Sequence, residues 1–108
     1  MRSSAGGVGV AVVTGRVDLL SAAELKSRMT EAIEDGNKRL VIDLSKVTFL
    51  DSSGLGALVG VLKAARQAGG DMRIAGAGEQ ARIVLELTTL DRVLTPYATV
   101  ADALAGYG

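Results

Sequence analysis

The chain has 108 residues, twelve Lys and Arg balanced by twelve Asp and Glu, and neither Cys nor His. The balanced charge provides no positive field to hold a phosphate backbone or an anionic bilayer, so direct nucleic-acid binding is not expected. The missing Cys and His exclude disulfides, thiol nucleophiles, Ser-His-Asp and Cys-His dyads, and zinc or haem sites that need imidazole or thiolate.

A chain of this length is expected to fold as one domain burying somewhat over ~60% of its unfolded surface. With 48% hydrophobic but only 3% aromatic residues, its core must be built from Val, Leu, Ile and Ala packed between regular elements. Gly6 and Gly7 follow Met1-Arg2-Ser3-Ser4 where a secretory leader would place its apolar core. No apolar stretch reaches the ~18 residues of a membrane span. A cytoplasmic chain without membrane insertion is the expectation.

Residues 8–13 are a β-branched run ending at Thr14-Gly15, which predicts a strand buried on both faces. Ser21 with Glu24 three residues later has capping-box spacing and predicts a helix start. Leu25, Met29, Ala32 and Ile33 then share one face, and Gly36 supplies the stop. Residues 40–44 predict a second strand, and residues 46–50 lead from it into Asp51-Ser52-Ser53-Gly54. There the period changes. Leu55, Leu58, Val59 and Leu62 recur at i, i+3, i+4 and i+7, so a second helix begins near Ser53 and stops at Gly69-Gly70.

Residues 72–75 predict a short third strand, followed by a helix over residues 79–87 with Ile83, Val84 and Leu87 inward. Val93-Leu94 predicts at most a brief last strand before Pro96. A closing helix starts at Thr99, with Asp102 as reciprocal cap, and buries Val100, Ala103, Leu104 and Tyr107. Strand and helix alternate about four times, which predicts a mostly parallel sheet with right-handed crossovers.

The segment Phe49-Leu50-Asp51-Ser52-Ser53-Gly54-Leu55-Gly56 joins a buried strand to an amphipathic helix and has two readings. In one, Asp51, Ser52 or Ser53 caps the helix by accepting from its first N–H groups, and Gly54 relieves crowding. In the other, a hydroxyl accepts phosphate, placing about −1.5 to −2 charges where helix dipoles stabilise them and reversing the character of a docking surface. Asp51 repels that phosphate, so the gain must come from the helix terminus or from a change in partner affinity. Gly15-Arg16-Val17-Asp18 falls at the same end of a parallel sheet; taken alone it is an ordinary surface turn.

Gly76-Ala77-Gly78-Glu79-Gln80-Ala81 fits G-x-G-x-x-A but lacks the acidic strand end some twenty residues on, so a tight strand-to-helix connection is its better account. Glu24, Glu31, Glu34 and Asp35 lie on the polar side of a helix. Asp43 and Asp51 sit near strand ends without a phosphate cradle, so neither a metal nor a cofactor is expected.

Val41-Ile42-Asp43-Leu44-Ser45, the segment from Phe49 to Gly56, Gly15-Arg16-Val17-Asp18 and Leu85-Glu86-Leu87-Thr88-Thr89-Leu90-Asp91 stand in an order that resembles the STAS domain of bacterial anti-sigma factor antagonists. The resemblance covers residues 8–104. It implies an α/β fold, a single STAS domain over residues 1–108, whose small, mostly parallel sheet of four to five strands carries helices mainly on one side. The family has a further N-terminal strand, for which only residues 1–7 remain, so that segment is expected to be disordered or a reduced edge strand. An open edge there allows pairing with another chain, giving a monomer or weak dimer.

The resemblance also implies a non-enzymatic partner switch. Dephosphorylated antagonist binds an anti-sigma factor that is a serine kinase, freeing the sigma factor; serine phosphorylation breaks the complex, and a serine phosphatase restores it. Carried onto this chain, the acceptor is Ser52, with Ser53 as fallback, and Asp18, Asp51, Ser53 and Gly54 fall on the partner surface. The alternatives are a STAS-like accessory subunit of a lipid or anion transport complex and a nucleotide-binding protein using residues 76–78.

Overall fold

The computed structural model describes residues 2–3, 8–94, 96–105 and 107. Among these, β1 (Arg2–Ser3), β2 (Val8–Val17), β3 (Arg39–Leu50), β4 (Asp71–Ala75) and β5 (Pro96–Tyr97) form one sheet in chain order. From β2 to β5 every pairing is parallel; β1 runs antiparallel to β2, with Arg2 opposite Val10 and Ser3 opposite Gly9. Each parallel step moves in the same direction across the sheet, so right-handed crossovers place their helices on one face. These are α1 (Leu19–Glu34), α2 (Ser52–Gln67) and α3 (Glu79–Leu87).

The alternation of β3 shows the two faces. Leu40, Ile42 and Leu44 join the core shared with Leu25 and Met29 of α1, Leu58 and Leu62 of α2, and Ala81 and Leu85 of α3. Val41 points the other way, into a smaller cluster with Val8, Val10, Ala75 and Ala103. Ala103 belongs to α4 (Val100–Ala105), which closes the opposite face. There the Arg73 guanidinium lies 4.0 Å from the Tyr107 ring centre and 5.3 Å from that of Tyr97. The Tyr107 hydroxyl donates to the Leu40 carbonyl at 2.9 Å.

Several sequence expectations need correcting. The first strand runs four residues beyond Val13, to Val17, through register shifts between Val12 and Thr14 and between Gly15 and Arg16. Gly15 takes φ +79°, a conformation that a residue with a β-carbon adopts only under strain. The first helix begins at Leu19 and is capped by Asp18, not by Ser21, which lies inside its first turn. Glu24 is exposed and pairs with Arg28 at 2.8 Å instead of closing a capping box.

In α3 the buried stripe is Ala81 and Leu85, while Ile83 and Leu87, expected inward, are 46% and 79% exposed. A nine-residue helix with apolar residues on two sides can dock by either, and here the stripe with the small residue comes closest to the sheet. Residues 90–92 form a 3₁₀ turn, Leu94 plugs the core with no exposure, and the last strand lies at Pro96–Tyr97 instead of Val93-Leu94. Proline is tolerated there because β5 is an edge strand. The Thr99 hydroxyl caps α4 by accepting from the Asp102 N–H at 3.1 Å. Of the segment 1–7, residues 2 and 3 form the reduced edge strand and the rest lies outside the described residues.

Candidate functional site

The parallel neighbours β2 and β3 end in register, Val17 opposite Leu50, and each is followed by an aspartate that caps the next helix. Asp18 Oδ1 accepts from the Ser21 N–H and the Ser21 hydroxyl, both at 3.2 Å. Asp51 Oδ1 accepts from the Gly54 N–H at 3.0 Å. Both aspartates hold extended backbone, so two strand–aspartate–helix junctions of one construction lie side by side at one end of the sheet.

Two contacts lock them together. The Asp51 N–H donates to the Val17 carbonyl at 3.4 Å. Gly54, in the first turn of α2, packs so closely on the end of β2 that a β-carbon there would stand 2.6 Å from Leu50 Cδ1 and 2.7 Å from both Val17 Cγ1 and the Val17 carbonyl oxygen. Gly54 is buried, and its place on the expected partner surface is therefore beneath that surface.

Ser52 is the first residue of the sixteen-residue α2 and is exposed; Ser53 is half-buried. Asp51 performs the capping that the sequence left open among three residues, which leaves the Ser52 hydroxyl outside that bond. A charge added at Ser52 would meet the positive end of the α2 dipole and the carboxylate of Asp51. The carboxyl of Asp18 is held below its ordinary range chiefly by the Ser21 N–H and then by the Ser21 hydroxyl, with burial opposing and the Leu20 N–H and Arg16 adding to the effect.

Sequence reasoning missed three contributions. The side-chain amide of Gln80 brackets the peptide groups of Leu50, accepting from its N–H at 2.9 Å and donating to its carbonyl at 2.8 Å, and so fixes the residue just before Asp51. Gln80 belongs to the G-x-G-x-x-A segment; its residues 76–78 form a tight connection from β4, and Gln80 itself lies in the first turn of α3. Arg16 stacks its guanidinium 4.6 Å from the ring centre of Phe49, its cross-strand partner. Leu19 and Leu20, directly after Asp18, are 71% and 83% exposed. Carried back from Leu25, the helical period puts Leu20 nearly opposite the packed stripe and Leu19 at its margin, a signal that becomes readable once the helix is begun at Asp18.

Asp43, considered for a cation, folds onto its own strand, its Oδ1 accepting from the Ser45 N–H at 2.9 Å. No helix among the described residues is long and apolar enough to cross a membrane.

A sheet in strand order, with three helices on one face and a serine pair opening the second of them, defines a small α/β domain. The STAS domain family model matches residues 3–103, and the chain belongs to that family. It is 35% identical over 100 residues to the anti-sigma-F factor antagonist RsfB of Mycobacterium tuberculosis, covering 93% of this chain and 81% of that one. It is 33% identical over 78 residues to an anti-sigma-B factor antagonist of Staphylococcus aureus, covering 72% of each. The crystal structure of an anti-sigma factor antagonist from Mycobacterium paratuberculosis superposes with a TM-score of 0.85 at 33% identity, over 96% of this chain and 88% of that one.

Proposed function

We propose that this protein is an anti-sigma factor antagonist that works as a non-enzymatic partner switch. Unphosphorylated, it binds an anti-sigma factor serine kinase through the sheet end that carries Asp18, Asp51, Ser52 and Ser53, and so regulates sigma-factor-dependent transcription. Phosphorylation of Ser52 releases it, and a serine phosphatase resets the cycle. The observation that carries this reading is the position of Ser52: exposed, at the first position of α2, and left free for modification because Asp51 supplies the cap.

The physics of release is local. A phosphate adds about −1.5 to −2 charges beside Asp51, and within a dehydrated interface that charge has to be matched or left unpaired. Leaving it unpaired costs on the order of several kcal/mol, about a thousandfold in occupancy. The α2 terminus tolerates the same charge in the free protein, so the fold persists in both states and the partner surface alone changes. Asp18 and Asp51 hold the two helix starts in place, and Gly54 lets them sit together.

The test is labelling of the purified protein by its cognate kinase with radioactive ATP. Ser52→Ala abolishes labelling, Ser53→Ala retains it, and Ser52→Asp weakens kinase binding. Undiminished serine labelling of the Ser52→Ala variant contradicts the assignment.

A further inference from the structure

We infer that Leu19 and Leu20 form the apolar anchor by which the kinase partner grips this protein, an inference that rests on the partner-switching reading. Leu20 is 83% exposed and Leu19 71%, whereas the packed stripe of α1 is Ala22, Leu25, Met29, Ala32 and Ile33. The fold gains little from leucine at these two positions. The first turn of a helix favours Asp or Glu, which complement its dipole; α1 has no acidic residue there and displays two leucines to solvent instead.

Their location points to the occupant. Leu19 follows Asp18, and the preceding Val17 carries both the hydrogen bond to Asp51 and the contact with Gly54. The leucines therefore stand at the same sheet end as the Ser52 hydroxyl. A kinase must surround that hydroxyl to modify it. A standard interface buries about 800 Å² on each partner, a patch roughly 30 Å across. The whole molecule measures 31 × 26 × 22 Å, so a patch centred on Ser52 takes in the neighbouring junction and the two leucines.

Interface energy concentrates in a few well-packed anchors enclosed by near-neutral contacts that exclude water, and an exposed leucine that becomes buried there contributes through the apolar area it removes from water. Leu19 and Leu20 supply the anchor, and Asp18, Asp51, Ser52 and the Arg16–Phe49 stack supply the enclosing contacts. The partner accordingly presents an apolar cleft beside the groups that meet Ser52. By drying the interface, the anchor also strengthens its response to a phosphate at Ser52.

The experiment uses the host's serine-kinase anti-sigma factors, purified one at a time, and measures calorimetric binding to the full-length wild type and to Leu19→Ser, Leu20→Ser and the double variant. The kinase that binds the wild type should bind each single variant about ten- to a hundredfold more weakly. Leu20→Met should largely restore binding, thermal midpoints should stay at the wild-type value, and the KM for phosphorylation should rise while kcat holds. Variants that bind within twofold of wild type, while Ser52→Asp binds weakly, overturn the anchor and leave the switch standing. If no purified kinase binds the wild type, both fall. A self-association lost in the double variant with kinase affinity unchanged assigns the leucines to a second copy of the chain and also overturns the proposal.

Discussion

Gly54 rests directly on Val17: a β-carbon at position 54 would approach the Val17 carbonyl oxygen to 2.7 Å. That contact joins the start of α2 to the end of β2, and it makes the relation between the Ser52 and Asp18 junctions a matter of backbone packing instead of side-chain chance. Because one of the obstructing atoms belongs to the main chain, a methyl group cannot be absorbed by a rotamer change.

Gly54→Ala should therefore destabilise the protein by about 1–3 kcal/mol through overpacking, and Gly54→Val by more. Urea unfolding at neutral pH measures this. Gly56, whose added β-carbon meets nothing within 4 Å, serves as the control, and Gly56→Ala should be neutral or slightly stabilising in the helix.

Gln80 replaces a strand neighbour for the Leu50 peptide groups. Gln80→Leu strips one donor and one acceptor of their partners and should cost about 2 kcal/mol. Gln80→Glu keeps the acceptor for the Leu50 N–H but turns a carboxylate toward the Leu50 carbonyl, so it should also destabilise. Hydrogen exchange at the Leu50 amide should accelerate in Gln80→Leu and remain slower in Gln80→Glu. Equal protection in all three proteins would show that the bracket contributes nothing.

Two groups give stability opposite pH limbs. The Asp18 carboxyl is held below its ordinary value of 3.8 by the Ser21 N–H and hydroxyl. Its contribution is fully present above the unfolded-state value and is lost as pH falls through the lower folded-state value. Ser21→Ala should raise the Asp18 titration midpoint, read by carboxyl-carbon NMR, toward 3.8. The Tyr107 hydroxyl is pushed up from 10.0 to about 12, first by burial and then by Asp71. Its contribution is complete below the unfolded-state value of 10.0 and disappears as pH rises through about 12. Tyr107→Phe should lose the bond to the Leu40 carbonyl and flatten that alkaline limb, as measured by urea midpoints across pH.

The fold was legible wherever one period dominated. The change from strand to helix at residues 51–55 located the start of α2 within a residue, and α3 has the bounds its sequence suggested. The end of the first strand was not legible, because Gly15 reads as a stop in sequence and serves as an irregularity inside β2 in space. Asp18 and Ser21 are both good caps three residues apart, and only the backbone decides between them. The serine pair could be found from local chemistry, whereas Gln80 could not: its partner lies thirty residues away and its role depends on how α3 docks. Leu19 and Leu20 precede the helix start expected at Ser21, so the side they take follows only once Asp18 is seen to be the cap.

The most direct measurement is the affinity of the cognate kinase for the protein carrying phosphoserine at position 52, compared with the unmodified protein under identical salt. The switch predicts binding weakened by at least about a hundredfold with the thermal midpoint nearly unchanged. Equal affinity of the two forms, or loss of binding only because the phosphorylated chain unfolds, would contradict it.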